Sequence, residues 1–215
     1  MIVEVVATGT ANTASVLAAL ARAGVRARVC DDAAAIDRAE AVVLPGVGTL
    51  SAAMTSLHRA GIAGVLRRRV EERRALLAIC LGMQILCDES EESPGVKGLG
   101  ALGYRLRRLS RAHRLPHFGW STVEVDDAVT PTSVLEGGEA YFAHSFGLLE
   151  APAGFRAAWS DCGERFVSAI ESGPVVACQF HPELSGCFGR ALIGRWLDLA
   201  RADAARRTPP QGAIT

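Results

Sequence analysis

The chain has 215 residues, which is long enough for one α/β domain with a substantial core. Its 23 basic and 23 acidic side chains give a formal net charge of zero, so no overall field attracts nucleic acid or an anionic membrane. Hydrophobic residues make up 49%, yet no apolar run reaches the roughly 18 residues that a membrane span needs. We therefore expect a cytoplasmic protein that binds a small molecule or a locally recognised partner, and neither nucleic acid nor a membrane.

The first third of the chain alternates strand and helix patterns. MIVEVVATGT lacks the basic start of a signal peptide and contains Glu4, so it predicts a first strand. An Ala- and Leu-rich helix follows, with Asn12 or Thr13 as its cap and Gly24 as its stop. Further strands are predicted in VRARV, AVVL and ALLAIC, with helices from near residue 51 and from about 62 to 73. This alternation indicates a parallel sheet with right-handed crossovers.

Beyond residue 100 the chain contains short strand-like pieces separated by Gly, Pro and Asp turns. They predict antiparallel hairpins, and they are YRLRRL, STVEV, EAYFAHSF, FRAAW, RFVSAI and VVACQF. A final helix is expected from about 188 to 202. We therefore predict an α/β fold with one domain over residues 1–203 and a flexible C-terminal tail over residues 204–215. Its central sheet is expected to be mostly parallel, with helices on both faces and added antiparallel hairpins.

Cys80 stands where the predicted strand ALLAIC ends and a helix begins. A sharp turn there exposes the thiol at the carboxyl edge of the sheet, where open α/β folds bind their ligands. The helix start lowers a thiol pKa, Gly82 leaves room for the turn, and the Leu81 N–H lies where an oxyanion donor is needed. A lone cysteine is more often a buried core residue. None of the six cysteines has the spacing of a zinc site, so no metal is expected.

Two further motifs favour a catalytic role for this cysteine. In QFHPEL, His181 and Glu183 are two residues apart in a segment that reads as extended, so the strand period of two directs both side chains to one face. A histidine held by a carboxylate is the base that a cysteine nucleophile needs. In LPGVGTL, Gly46 and Gly48 allow the peptide before Val47 to turn its N–H toward a tetrahedral oxyanion. The three motifs together predict cysteine-based cleavage of an acyl group.

The motifs PGVG, ICLGMQIL, SEE, LPHFGW, FAHSF and QFHPELSG, in this order over residues 45–186, resemble those of class I, triad-type glutamine amidotransferases. PGVG with PHFGW and HSF is most similar to the glutaminase subunits of imidazole glycerol phosphate synthases, which act in histidine biosynthesis. The resemblance implies a glutamine hydrolase that uses no cofactor. Cys80 would be the nucleophile, His181 the base and Glu183 the carboxylate that orients it.

The resemblance also implies the remaining site residues and the partner. Oxyanion positions would be Val47, Gly48 and Leu81, and the substrate glutamine would be bound by Gly46, Gln84, Glu92, Ser145 and Phe146. A helix-surface amide is the alternative for Gln84, and a solvated loop charge is the alternative for Glu92. Ammonia would pass to a (β/α)8-barrel cyclase subunit in a heterodimer. Trp120 would lie at that interface, although an ordinary core or hairpin Trp is the alternative.

The chain departs from the family pattern on the side expected to face the partner. ATGTANTAS keeps Gly9 and Asn12 but lacks the acid and the aromatic of the usual turn, Ser121 replaces a usual Asn, and Leu184 replaces a usual Lys. Two alternatives therefore stay open: a glutaminase subunit of a different synthase, and a catalytically silent regulatory module. The basic stretches YRLRRLSRAHR and RRR are interpreted as solvated faces.

Overall fold

The computed structural model of the protein describes residues 1–9, 12–126 and 133–207. Strands and helices alternate through the first half, and strands dominate the second. The strands are β1 (Ile2–Val6), β2 (Arg26–Cys30), β3 (Ala41–Gly46), β4 (Leu76–Cys80), β5 (Glu89–Ser90), β6 (Arg105–Arg108), β7 (His117–Val125), β8 (Gly138–His144), β9 (Phe146–Gly147), β10 (Arg156–Asp161), β11 (Arg165–Ser172) and β12 (Val175–Cys178). The helices are α1 (Thr13–Arg22), α2 (Ala33–Arg38), α3 (Leu50–Arg59), α4 (Ala63–Glu71), α5 (Leu81–Ile85), a 3-10 helix (Pro182–Leu184) and α6 (Gly186–Arg207).

A nine-stranded sheet forms the centre of the fold, in the order β2-β1-β3-β4-β12-β11-β10-β7-β8. The first five strands of this order pair in parallel, and β11, β10, β7 and β8 are added by antiparallel pairing. β12, the last strand in the chain, is inserted beside β4, with Cys178 opposite Ile79. The predicted α/β fold with antiparallel additions is confirmed.

Helices cover both faces of this sheet because its central strands are apolar on both sides. In β3, Val42 and Leu44 pack in a cluster with α3 and α4, whereas Ala41 and Val43 pack in a second cluster with α1 and α6. β4 and β12 show the same alternation. Because a shift of one residue would reverse both faces, this packing fixes the strand register. The carboxyl ends of β3, β4 and β12 therefore lie side by side.

The last helix is longer than predicted. α6 continues to Arg207, whose Nε donates to Asp203 Oδ1 at 2.9 Å and whose Nη2 donates to the Glu72 carbonyl at 2.9 Å. Residues 204–207, expected in a flexible tail, are thus part of the helix, and residues 208–215 lie outside the described range. Over the ranges that are described, every helix is too short or too polar to cross a bilayer.

Candidate active site

β4 passes directly into α5 at Cys80, without an intervening loop. The residue has φ 54° and ψ −111°, a conformation that costs a non-glycine residue on the order of 1–3 kcal/mol. Gly82 makes the turn possible, since a Cβ at that position would lie 1.9 Å from the Leu44 carbonyl oxygen. The turn predicted from the sequence is therefore present, and close packing against β3 holds it in place.

The end of β3 lies against this turn. Gly46 is the register partner of Cys80, and a Cβ on Gly46 would come within 2.9 Å of Leu81 Cβ. Val47 follows with 39% of its surface exposed, and Gly48 has φ 89°. The PGVG segment, expected to supply an oxyanion donor, is thus placed beside the thiol.

His181 is anchored to β8 by its backbone. Its N–H donates to the Tyr141 carbonyl at 2.9 Å, and its own carbonyl accepts from Ser185 Oγ at 2.6 Å. Its Nδ1 lies 2.9 Å from Glu183 Oε1. The extended segment predicted for this pair is wrong: Glu183 belongs to the 3-10 helix, and that turn brings its carboxylate back to the imidazole.

The charge of His181 depends on its two neighbours. Burial alone lowers the pKa of this imidazole, but hydrogen bonds with Cys80 and Glu183 raise it, and the resulting pKa is about 10. The imidazole is therefore protonated at neutral pH. A cation beside a thiol is the environment that a nucleophilic cysteine requires.

A pocket of about 270 Å³ opens at this point, near the lower end of the sizes found for small-molecule sites. Cys80 and His181 both line it. The pocket is also lined by all three predicted oxyanion positions and by four of the five predicted glutamine-binding positions: Val47, Gly48, Leu81, Gln84, Glu92, Ser145 and Phe146. Gly46 and Glu183 stand just behind, in contact with Leu81 and His181. The structure thus gathers the predicted residues in one place.

The helix-surface alternative for Gln84 is wrong, whereas the loop-charge alternative for Glu92 stays open. Gln84 is buried, and its Nε2 donates to Gln179 Oε1 at 2.9 Å and to the Phe146 carbonyl at 3.1 Å. Glu92 is half-buried, and its Oε2 accepts the Leu50 N–H at 3.2 Å, at the start of α3. Both side chains are therefore held by the protein at the wall of the pocket, and their role toward glutamine stays a prediction.

Three polar residues of the site were not predicted. Gln179 Nε2 lies 3.7 Å from Cys80 Sγ. Because Gln179 stands two residues before His181, the strand period of two could have predicted that both side chains face the same side. His117 and His144 face each other across β7 and β8, with 3.2 Å between Nδ1 of the first and Nε2 of the second. Only the pairing register of β7 with β8 brings these two histidines together, and that register could not be predicted from the sequence.

Trp120 lies outside the pocket, on β7. Its side chain is 57% exposed, its ring meets Tyr141 edge to face, and Phe118 on the same side of the strand is 65% exposed. The core alternative for this Trp is wrong, its hairpin alternative stays open because Trp120 is paired with Tyr141 of β8, and its interface role stays a prediction. In the ranges described, no three His, Cys, Asp or Glu side chains are grouped as a metal ion would need.

Comparison with known proteins places these features in a wider group. The family model described as glutamine amidotransferase class-I matches residues 4–193. Imidazole glycerol phosphate synthase subunit HisH of Streptococcus gordonii is 36% identical over 197 residues, covering 91% of this chain and 95% of the relative. The protein of the same description from Idiomarina loihiensis is 41% identical over 202 residues, covering 93% and 98%. A solved structure described as a glutamine amidotransferase, at 24% identity, aligns with a TM-score of 0.74 over 94% of this chain and all of its own, which is a likeness of fold.

Proposed function

The chain belongs to the class-I glutamine amidotransferases and, within them, to the HisH subunits of imidazole glycerol phosphate synthase, and we propose that it hydrolyses glutamine through Cys80, His181 and Glu183. One observation carries the proposal. A thiol on a strained turn and an imidazole whose Nδ1 lies 2.9 Å from a carboxylate oxygen line the same pocket.

The reaction proceeds in two steps. Cys80 sulfur attacks the side-chain amide carbon of glutamine, and the proton held by His181 passes to the nitrogen, so the C–N bond breaks and ammonia leaves. A water molecule then loses its proton to His181 and attacks the thioester, which releases glutamate and returns the thiol. Glu183 keeps the imidazole oriented and stabilises its charge throughout.

Each tetrahedral intermediate carries an oxyanion that backbone N–H groups stabilise. Leu81 supplies one donor, from the residue after the nucleophile. The PGVG segment supplies the second at Val47, beside Gly48, after a rearrangement of the peptide that follows Gly46. Because this rearrangement must come first, the isolated subunit is expected to hydrolyse glutamine slowly.

The ammonium and the carboxylate of the substrate glutamine need different partners on the pocket wall, one an acceptor and the other hydrogen-bond donors. The Glu92 carboxylate pairs with the ammonium of glutamine, and backbone groups of Ser145 and Phe146 meet its carboxylate. Gln84 supplies a side-chain amide between them. All four residues line the pocket, which supports this assignment.

We propose that ammonia passes to a (β/α)8-barrel cyclase subunit in a heterodimer, which forms imidazole glycerol phosphate and aminoimidazole carboxamide ribotide. Exposed apolar side chains support a docking face around the pocket: Val47 and Phe118 line its mouth, and Trp120 stands on β7 beside Phe118. Leu184 is 45% exposed, so it offers an apolar contact where relatives carry Lys. Large aromatic side chains at such a face are typical anchors of an interface. All six cysteines are free, which supports a cytoplasmic location.

The test compares two cysteine variants. Cys80→Ala should abolish glutamate release while the protein still forms the complex with the cyclase subunit. Cys187→Ala, which removes an exposed thiol outside the pocket, should keep wild-type rates. Hydrolysis that persists in Cys80→Ala would remove Cys80 from its role. Full activity of the wild-type subunit alone would contradict the proposed rearrangement. No specific observation favours the different synthase or the silent module.

A further inference from the structure

A row of hydrogen bonds joins the catalytic pocket to a groove on the partner side. His144 Nδ1 lies 3.0 Å from the Phe146 carbonyl, His144 Nε2 lies 3.2 Å from His117 Nδ1, and His117 Nε2 lies 2.8 Å from Ser121 Oγ. His144 lines the catalytic pocket. His117 and Ser121 line a groove of about 460 Å³ that Trp120 also lines.

The direction of this row follows from one end. A carbonyl only accepts, so His144 Nδ1 carries the hydrogen and its Nε2 accepts. His117 must then donate from Nδ1, and its Nε2 accepts the hydroxyl hydrogen of Ser121. Burial lowers the pKa of both imidazoles, that of His144 to about 3, so both are neutral and the order of donors is kept.

The inner end of the row meets the groups around the thiol. The Phe146 carbonyl accepts a second hydrogen bond from Gln84 Nε2 at 3.1 Å, so both of its lone pairs are used. Gln84 also donates to Gln179, whose Nε2 lies 3.7 Å from Cys80 Sγ. A displacement of the Phe146 carbonyl would therefore move the amide that faces the substrate.

We propose that Ser121, His117 and His144 are positioning residues, which hold the Phe146 carbonyl and Gln84 in place and connect the pocket to the groove beside Trp120. The proposal rests on the proposed glutaminase function. The geometry of the strand supports it, because His117 and Ser121 occupy the inward side of β7 while Phe118 and Trp120 occupy the outward side. The Ser121 hydroxyl is thus the outermost donor of the row, at the groove.

Three variants on β7 test the row in the complex with the cyclase subunit. Ser121→Ala removes the outer donor, and we expect the KM for glutamine to rise about fivefold, the equivalent of one hydrogen bond, with little change in kcat. Ser121→Thr keeps a hydroxyl and should restore the wild-type KM. Thr122→Val is the matched control, since its hydroxyl bonds Glu139 at 2.7 Å and no histidine, and it should leave KM unchanged.

Nitrogen NMR of labelled histidines supplies a readout that does not need activity. His117 and His144 should both be neutral with the hydrogen on Nδ1, and Ser121→Ala should shift the Nε2 resonance of His117 while Thr122→Val should not. A hydrogen on Nε2 of His144 in the wild type, or Ser121→Ala indistinguishable from Thr122→Val, would overturn the row. An inactive wild type with the expected resonances would instead refute the glutaminase function alone.

Discussion

Replacement of Gly82 by Ala tests the turn that carries the nucleophile. The added Cβ would lie 1.9 Å from the Leu44 oxygen and 3.0 Å from its carbon, whereas ordinary contact begins at 3.4 Å. Either β3 or α5 must move by about 1.5 Å to satisfy that distance, and both are buried. Overpacking of this kind costs about 3 kcal/mol or more, because the neighbour is backbone and has no other rotamer.

For a domain of this size, such a loss lowers the melting temperature by about 6–12 °C. The same displacement shifts Cys80 relative to His181, and an error of about 1 Å in a catalytic geometry costs on the order of 10²-fold in rate. Gly82→Ala should therefore melt early and, measured below its melting temperature, release glutamate about 100-fold more slowly than the wild type in the same complex.

Gly194→Ala is the matched control. It lies in α6 with no heavy atom within 4 Å of the added Cβ, so the higher helix propensity of Ala should stabilise the protein by about 1 kcal/mol. Thermal denaturation followed by circular dichroism and a glutamate-release assay give both numbers. If Gly82→Ala melted within about 2 °C of the wild type and turned over within twofold of it, the tight packing of the turn would be refuted.

Three further predictions concern the triad and the docking face. Glu183→Gln removes the charge that stabilises the His181 imidazolium, and kcat should fall by on the order of 10²- to 10⁴-fold; an unchanged kcat would exclude stabilisation of the imidazolium by the Glu183 charge. Burial lowers the pKa of His181, but its two hydrogen bonds raise it to about 10. His181 should therefore still donate its proton to the departing amide nitrogen at pH 7–9, and kcat should decline as the pH rises through about 10. A decline centred near pH 6.5 in a pH–rate profile would contradict the raised pKa. Trp120→Ala should weaken binding of the cyclase subunit by roughly 30-fold in calorimetry, because an interface anchor is lost. Val29→Ala, on the edge strand β2, should leave the affinity unchanged. Equal affinities of Trp120→Ala and the wild type would place the interface elsewhere.

The sequence predicted the nucleophile's surroundings well because they depend on local rules. A strand that ends at a cysteine, with Gly82 two residues later, has few ways to turn, and the structure shows that turn. The same local reasoning failed for His181 and Glu183. Period two placed the carboxylate on the correct side, but Pro182 begins a 3-10 helix instead of continuing the strand.

Features that depend on register were beyond reach. His117 and His144 lie in separate motifs of the chain, and only the antiparallel pairing of β7 with β8 sets them opposite each other. The end of α6 was also misplaced, since its last turn is held by the contact of Arg207 with the Glu72 carbonyl, far away in sequence. Such contacts form between residues that are far apart in the sequence, and the hydrophobic periodicity of the chain does not predict them.

The position of β12 has a consequence for how the protein is made. This strand pairs with β4 on one side and β11 on the other, and His181 follows directly from it. A ribosome releases the amino-terminal half first, so Cys80 emerges long before its imidazole exists. The thiol is therefore without its activating partner until about a hundred further residues have been synthesised, and the sulfur becomes reactive only after β12 has been made.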